Sequence, residues 1–421
     1  MTAAVCVDVG STYTKACRVD LGTGEMTGRA EVPTTSASDV LQGLDAAVAL
    51  VGGSPTDQLY VCSSAGGGLR LAVVGYESLV TAEAGHRVGL SAGAQVVHVA
   101  SGNLDGRAVT ALRESRPDVI LLVGGTDGGD SSVLLHNARR LATSRLRVPV
   151  VLAGNAEART DAAAVLEDRG ISVTVTSNVL PRIGVLDPGP ARAAIRDVFL
   201  RHVIGGKKLS RGGRFASLVR AATPDAVLAG VELLADLTGK GVLVVDVGGA
   251  TTDVYSALVP DAELETGPRR DVAGTLWRAR TVEGDLGVAV GAPGTVAAAT
   301  AEKLALPDGG QPPTPESDRS LAAAAAVVAL RRHARGHSPG PGRPRTGGRD
   351  LREVRLVVGS GGVLRHGGGR YVLEAVLADT AGGWAAPTGA RTVVDERYVL
   401  AAAGLLAIDH RDAAVCLLNT L

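Results

Sequence analysis

Short apolar runs that end in glycine recur along the chain. Residues 3–9 (Ala-Ala-Val-Cys-Val-Asp-Val) read as a buried strand. A second strand over 16–21 turns through Gly22-Thr23-Gly24, a hairpin signal. Over 39–51, Val40, Leu41, Leu44, Val48 and Leu50 recur at helical spacing. A short strand at 59–62 runs into Ser63-Ser64-Ala65-Gly66-Gly67-Gly68. From about 78 to 200 the rhythm changes. Strands at 96–100, 119–123, 150–152 and 171–176 alternate with helical patterns such as 133–143 and 161–169. That alternation predicts a parallel sheet with helices on both faces.

The spacing then predicts a helix within 187–208, ending in Gly205-Gly206-Lys207-Lys208, and another within 215–240 with Asp225 as its N-cap. A strand at 242–247 followed by one at 254–259 repeats the opening order. Residues 307–318 read as a loop, 321–332 as an alanine-rich helix and 333–350 as a Pro/Gly/Arg-rich mobile loop. A strand at 354–358 enters Gly359-Ser360-Gly361-Gly362, and a last helix covers about 399–407.

Composition narrows the functional classes. Lys and Arg number 43, as do Asp and Glu, so nothing global draws the chain to nucleic acid or an anionic membrane. Aromatics are 2%, so the core is built from Ala, Val and Leu, and stacking platforms for single-stranded nucleic acid are scarce. A chain of 421 residues suffices for two or three domains. Of its four cysteines, Cys6, Cys62 and Cys416 sit in apolar runs, where buried reduced thiols are expected, and Cys17 makes the fourth. There is no CxxC pair and no Cys/His cluster at zinc spacing. Without a basic-then-apolar leader, the expected location is cytoplasmic.

The candidate chemistry lies in a repeated motif. Asp8-Val9-Gly10-Ser11-Thr12-Tyr13-Thr14-Lys15 and Asp246-Val247-Gly248-Gly249-Ala250-Thr251-Thr252-Asp253 each follow an apolar strand. Glycine admits the close backbone approach that phosphate oxygens require, and successive N–H groups make an anion-binding concavity. An aspartate there suits a hydrated Mg²⁺. Gly10, Ser11 and Thr12, with Gly248, Gly249, Thr251 and Thr252, are expected to contact phosphates, and Lys15 to supply a cation. Asp8 and Asp246 are expected to face one another across a cleft and hold the metal. The Gly359, Gly361 and Gly362 turn would lie against adenosine. Either loop alone also reads as an ordinary tight turn.

Other segments keep two readings. The Gly124–Asp130 loop binds an anion or joins strand to helix, and Asp127 and Asp130 are a metal pair or a solvated loop. His333 and His337 have metal-pair spacing, but Gly336 and Pro339 favour a polar loop. The arginines of 331–349 read as a solvated linker. The Gly205–Lys208 segment lacks the upstream glycine and following hydroxyl of a phosphate-binding P-loop.

In order, these motifs resemble the superfamily of actin, sugar kinases and heat-shock chaperone ATPases. The resemblance implies an α/β fold of two actin-like (ribonuclease H-like) ATPase lobes with an inserted α/β subdomain. The expected domains are 1–77 (first lobe), 78–205 (insert) and 206–421 (second lobe), with the last helix an optional return to the first lobe. It also implies that Glu283-Gly284-Asp285-Leu286-Gly287 is the connecting segment, with Glu283 or Asp285 orienting the attacking water.

A narrower resemblance covers most of the chain. Cys62 to Arg70, Thr81-Ala82-Glu83-Ala84, Leu121 to Gly129, Ala153-Gly154-Asn155 and Thr281 to Gly287 are similar to the glutamate mutase L (MutL) family. Its members are encoded beside subunits of adenosylcobalamin-dependent glutamate mutase. The implied role is an ATP- and magnesium-dependent chaperone or reactivase whose partners are mutase subunits. The alternative within the superfamily is a small-molecule kinase. A dehydratase activator would need cluster-binding cysteines that are lacking here, and a module without hydrolysis is disfavoured by Asp8, Asp246 and Thr252.

Overall fold

The computed structural model describes residues 2–65, 69–76, 81–92, 94–204, 209–259, 277–306, 314–336, 348–381 and 383–421. The expected turns at 66–68 and 205–208, residue His337 and most of 333–350 lie outside the described residues. The chain divides into two compact units. The first runs to Val227 and includes Ile408–Ala413. The second holds residues from Leu228 to 259, Trp277–Ala407 and Ala414–Leu421.

The first unit contains two sheets. Strands β1 (Ala3–Val9), β2 (Tyr13–Asp20) and β3 (Met26–Pro33) form an antiparallel meander. After helix α1 (Val40–Leu50), strand β4 (Gln58–Ser63) returns parallel to β1. The helix starts where Asp39 accepts a hydrogen bond from the Leu41 N–H, and it buries Val40, Leu44 and Ala47. Strands β5 (Arg70–Gly75), β6 (Gln95–Ser101), β7 (Val119–Leu122), β8 (Val150–Leu152) and β9 (Val173–Val175) make a fully parallel sheet in the order β6-β5-β7-β8-β9.

Helices α2 (Thr81–Ser91), α3 (Gly106–Glu114), α4 (Ser132–Thr143), α5 (Arg159–Glu167) and α6 (Gly189–Val198) cover this sheet. Val109, Leu112, Leu134, Leu141 and Leu166 pack on one face, while Ala84, Val88, Ile195 and Val198 pack on the other. Apolar burial on both faces is what the near-continuous Val/Leu strands require. After α7 (Arg214–Leu218), strand β10 (Val219–Ala222) pairs parallel with β4, completing the order β10-β4-β1-β2-β3. Helix α8 (Thr223–Thr238) then carries the chain out of the first unit.

The second unit repeats that topology. Strands β11 (Gly241–Val247), β12 (Thr252–Ala257) and β13 (Arg278–Glu283) form the meander. Past helices α9 (Ala292–Ala301) and α10 (Pro315–Arg335), strands β14 (Val354–Ser360) and β15 (Arg391–Val394) add in parallel to β11. The order is β13-β12-β11-β14-β15. Helices α11 (Gly369–Ala378), α12 (Val399–Leu406) and α13 (Arg411–Leu418) finish the chain. Helix α10 is buried from Ala322 through Arg331, and its run of alanines makes that all-round burial possible.

The fold is the α/β class expected: two sheets of one topology with an inserted parallel α/β part. Two strands lie where the sequence reading named none: β5, which joins the parallel sheet, and β10, which joins the sheet of the first meander. Strand β13 (Arg-Ala-Arg-Thr-Val-Glu) carries too many polar residues to announce itself. Helix α10 begins at Pro315, where Thr314 and Ser317 cap one another, and continues to Arg335, so 315–318 and 333–335 are helix, not loop. Asp225 lies inside the first turn of α8 and pairs with Arg196 instead of capping it. Cys416 is exposed, unlike the other three cysteines. No helix among the described residues is long and apolar enough to cross a membrane.

Candidate functional site

In the first unit the motif is the β1–β2 connection. The Gly10 N–H donates to the Tyr13 carbonyl at 3.0 Å and closes the turn. Ser11 and Thr12 are exposed at its tip. The Thr34 hydroxyl donates to the Gly10 carbonyl at 2.9 Å, and the Thr34 N–H to the Thr12 carbonyl at 2.8 Å, so the residue that follows β3 braces the loop. Asp8, half-buried, stands opposite Lys15 on β2 and Cys62 on β4. Its Oδ1 accepts from the Thr223 hydroxyl at 2.5 Å and from the Cys62 thiol at 3.6 Å. Burial pushes the Cys62 thiol pKa well up, and the Asp8 charge adds to the shift. The hairpin thus gathers Asp8, Gly10, Ser11, Thr12 and Lys15.

The second unit repeats the turn. The Gly248 N–H donates to the Thr251 carbonyl at 2.9 Å, and Asp246 stands opposite Asp253 and Ser360. Residues 284–291 wrap this loop. The Val288 N–H bonds the Gly248 carbonyl, and the Ala289 and Gly291 N–H groups bond the Gly249 carbonyl. Gly287 must be glycine for that approach, since a Cβ there would lie 2.6 Å from the Gly249 oxygen. Thr252 is fully buried and donates to the Leu286 carbonyl at 3.1 Å. Its hydroxyl ties loop to wrap.

Gly361, at φ +104°, lies against the end of β11, where a Cβ would meet the Val247 oxygen at 2.1 Å. Gly359 is buried and faces Leu364 and Leu373, whereas Gly362 is exposed. Of the three expected adenosine-turn glycines, Gly362 alone presents an open surface.

Glu283 ends β13 opposite Thr252, so the structure brings it beside the second loop. Burial pushes its carboxyl pKa up while the Arg332 guanidinium, 2.8 Å away, pulls the other way. Arg332 also grips both oxygens of Asp285, at 2.7 and 3.0 Å, and holds that carboxyl below the usual range. The connecting role assigned to 283–287 does not hold. This segment joins β13 to α9 within the second unit, and α8 is where the chain first crosses from the first unit to the second.

The arginines read as a solvated linker include internal partners. Arg331 is buried and bidentate to Asp379 at 2.6 and 2.8 Å, with Glu302 as a further acceptor. His333 is buried between the Ser256 and Thr281 hydroxyls at 2.8 and 2.9 Å, so it is a core histidine. Sequence reasoning missed both Arg332 and Thr223. Helical periodicity running on to the Gly336 stop was the available sign of the former. Thr223 lies 215 residues from Asp8, and no local pattern marks it.

The Gly124–Asp130 loop is held by structure. Asn155 donates to the Thr126 and Gly129 carbonyls and accepts from two N–H groups, while Asn178 donates to Gly125 and to the Asp127 carboxylate. Asp130 accepts from the Ser132 N–H and hydroxyl. Among the described residues no three His, Cys, Asp or Glu side chains gather as a metal cage.

The MutL protein family model matches residues 4–421. The chain is 34% identical over 457 aligned residues to Protein MutL of Clostridium tetanomorphum, spanning 99% of this chain and 98% of that protein. Among solved structures it is similar to a nucleotide-free diol dehydratase-reactivating factor, with a TM-score of 0.40, 12% identity and coverage of 98% of this chain and 100% of that one. It is similar also to nucleotide-free acetone carboxylase, with a TM-score of 0.40, 15% identity and coverage of 96% and 70%. Superpositions this loose carry no chemistry with them. The family match over nearly the whole length, together with one-third identity to a full-length member, places the chain in the MutL family.

Proposed function

We propose that the two Asp-Val-Gly hairpins bind Mg·ATP and that the protein works as an ATP-hydrolysing accessory factor of an adenosylcobalamin-dependent mutase, glutamate mutase being the first candidate. One observation carries the nucleotide reading. Both units place an aspartate two residues before a glycine whose N–H closes the same four-residue turn, at 3.0 Å in one and 2.9 Å in the other. Each copy presents the same exposed turn, whose backbone N–H groups suit phosphate oxygens. The mutase partnership rests on family membership and on the family's resemblance-based role.

The residues suit the group. Asp8 and Asp246 are hard oxygen donors, half-buried at strand ends. Magnesium commonly keeps most of its water and takes one or two carboxylates. When bound it would neutralise phosphate charge. The chain's own contributions are then separable. With the Gly10 and Gly248 N–H groups closing the turns, the backbone N–H groups of Ser11 and Thr12 and of Gly249 to Thr251 hold phosphate oxygens, with Lys15 as a nearby cation. Gly362 offers the open surface for adenosine, while Gly359 and Gly361 shape the turn. Thr252 fixes the second loop from within. Glu283 orients the water that attacks the terminal phosphoryl group, and Arg332 fixes its carboxylate.

The test is turnover of Mg·ATP by the full-length protein, alone, with purified mutase subunits, and with panels of sugars and carboxylic acids. Stimulation by mutase subunits with release of inorganic phosphate is the expected result. Phosphate transferred to a small acceptor would replace this reading with a kinase, and no nucleotide binding at all would end both.

A further inference from the structure

We propose that Thr223 is a positioning residue for Asp8, fixing which carboxylate oxygen is available to a hydrated magnesium ion. The proposal rests on the reading of Asp8 as a metal-holding carboxylate. A carboxylate only accepts, so the 2.5 Å contact is a hydrogen bond donated by Thr223 Oγ1 to Asp8 Oδ1. The Cys62 thiol donates to the same oxygen at 3.6 Å. Both contacts fall on Oδ1, which leaves Oδ2 to accept from the waters of the ion.

The placement follows from the strand register. Residue Asp8 of β1 pairs with Cys62 of β4, which pairs with Ala221 of β10, and α8 begins two residues later at Thr223. The donor is itself held. Asp225, one half-turn on and 5% exposed, forms an ion pair at 2.5 Å with Arg196 of α6. The first turn of α8 is therefore anchored on one side while its leading hydroxyl reaches the candidate phosphate loop. Groups that orient a metal ligand without touching the metal commonly govern its affinity.

The experiment compares Thr223→Val, which keeps shape but loses the donor, with Thr223→Ser, which keeps the donor. In the full-length protein, equilibrium binding of a fluorescent ATP analogue is titrated with Mg²⁺, and ADP binding is measured in EDTA. Thr223→Val should need about tenfold more Mg²⁺ for half-saturation, whereas Thr223→Ser should stay within about twofold. ADP affinity in EDTA should match wild type for both. In an Asp8→Asn background, Thr223→Val should add no further shift. A wild-type Mg²⁺ requirement in Thr223→Val would overturn the proposal, even with a lowered melting temperature, since the hydroxyl would then serve α8 alone. An undiminished shift in the Asp8→Asn background would overturn it too. Wild-type protein that binds no nucleotide in Mg²⁺ would remove the underlying reading before any variant is compared.

Discussion

At the scale of single residues, His333 shows how burial decides what a titratable group does. Desolvation lowers its pKa from 6.5 to about 3, so the folded protein holds it neutral between two hydroxyls. A neutral imidazole has one donor and one acceptor nitrogen, so one hydroxyl must donate and the other accept. The unfolded chain takes up the proton near pH 6.5, well before the folded one. Stability from this site is therefore complete above about pH 6.5 and drains away as pH falls towards 3. Between pH 7.5 and 5, wild type should lose about 2 kcal/mol more unfolding free energy than His333→Gln, measured by urea denaturation. Equal losses would show that His333 does not stay neutral in the fold. The sequence displayed this histidine as half of a metal-spaced pair in an arginine-rich stretch, because its partners Ser256 and Thr281 come from distant strands. Arg331 and Arg332 were misjudged for the same reason, since their charges are balanced by Asp379, Glu283 and Asp285 from other elements.

At the scale of elements, the strand–turn units were the legible part. An apolar run ending in Asp-Val-Gly signals itself by composition, and β1, β4, β11 and β14 all fall where the apolar runs do. The polar strands β3, β13 and β15 did not. An edge strand such as β3, with every second residue exposed, carries little apolar signal to read. What the sequence also hid is the division of labour within one glycine turn. Gly361 has positive φ and no room for a Cβ, whereas Gly362 is exposed with nothing within 4 Å of that position. Gly361→Ala should therefore cost about 3 kcal/mol or more of stability, through backbone strain and the clash with Val247. Gly362→Ala should stay within about 1 kcal/mol of wild type and yet weaken ATP binding, because its methyl projects onto the surface proposed for adenosine. Thermal melts and nucleotide titrations on the two variants separate these effects. Unaltered ATP affinity in Gly362→Ala would detach this turn from the nucleotide.

At the scale of the whole molecule, the same five-strand order occurs twice, and in each copy an aspartate is the next-to-last residue of the central strand before the same closed turn. Duplication alone would allow two independent ligands, one per unit. The proposed function requires instead that both turns serve one nucleotide, and energetic coupling distinguishes the cases. If Asp8 and Asp246 act on a single Mg·ATP, Asp8→Asn and Asp246→Asn should each reduce turnover by about a hundredfold. The double variant should then fall little further, because residues that work as a unit are strongly non-additive. Calorimetry on wild type should give one nucleotide per chain. Losses that multiply in the double variant, or two nucleotides bound per chain, would mean that each hairpin keeps its own ligand. The chain would then be two nucleotide-binding units in tandem, and coupling to a mutase would have to work without a shared triphosphate.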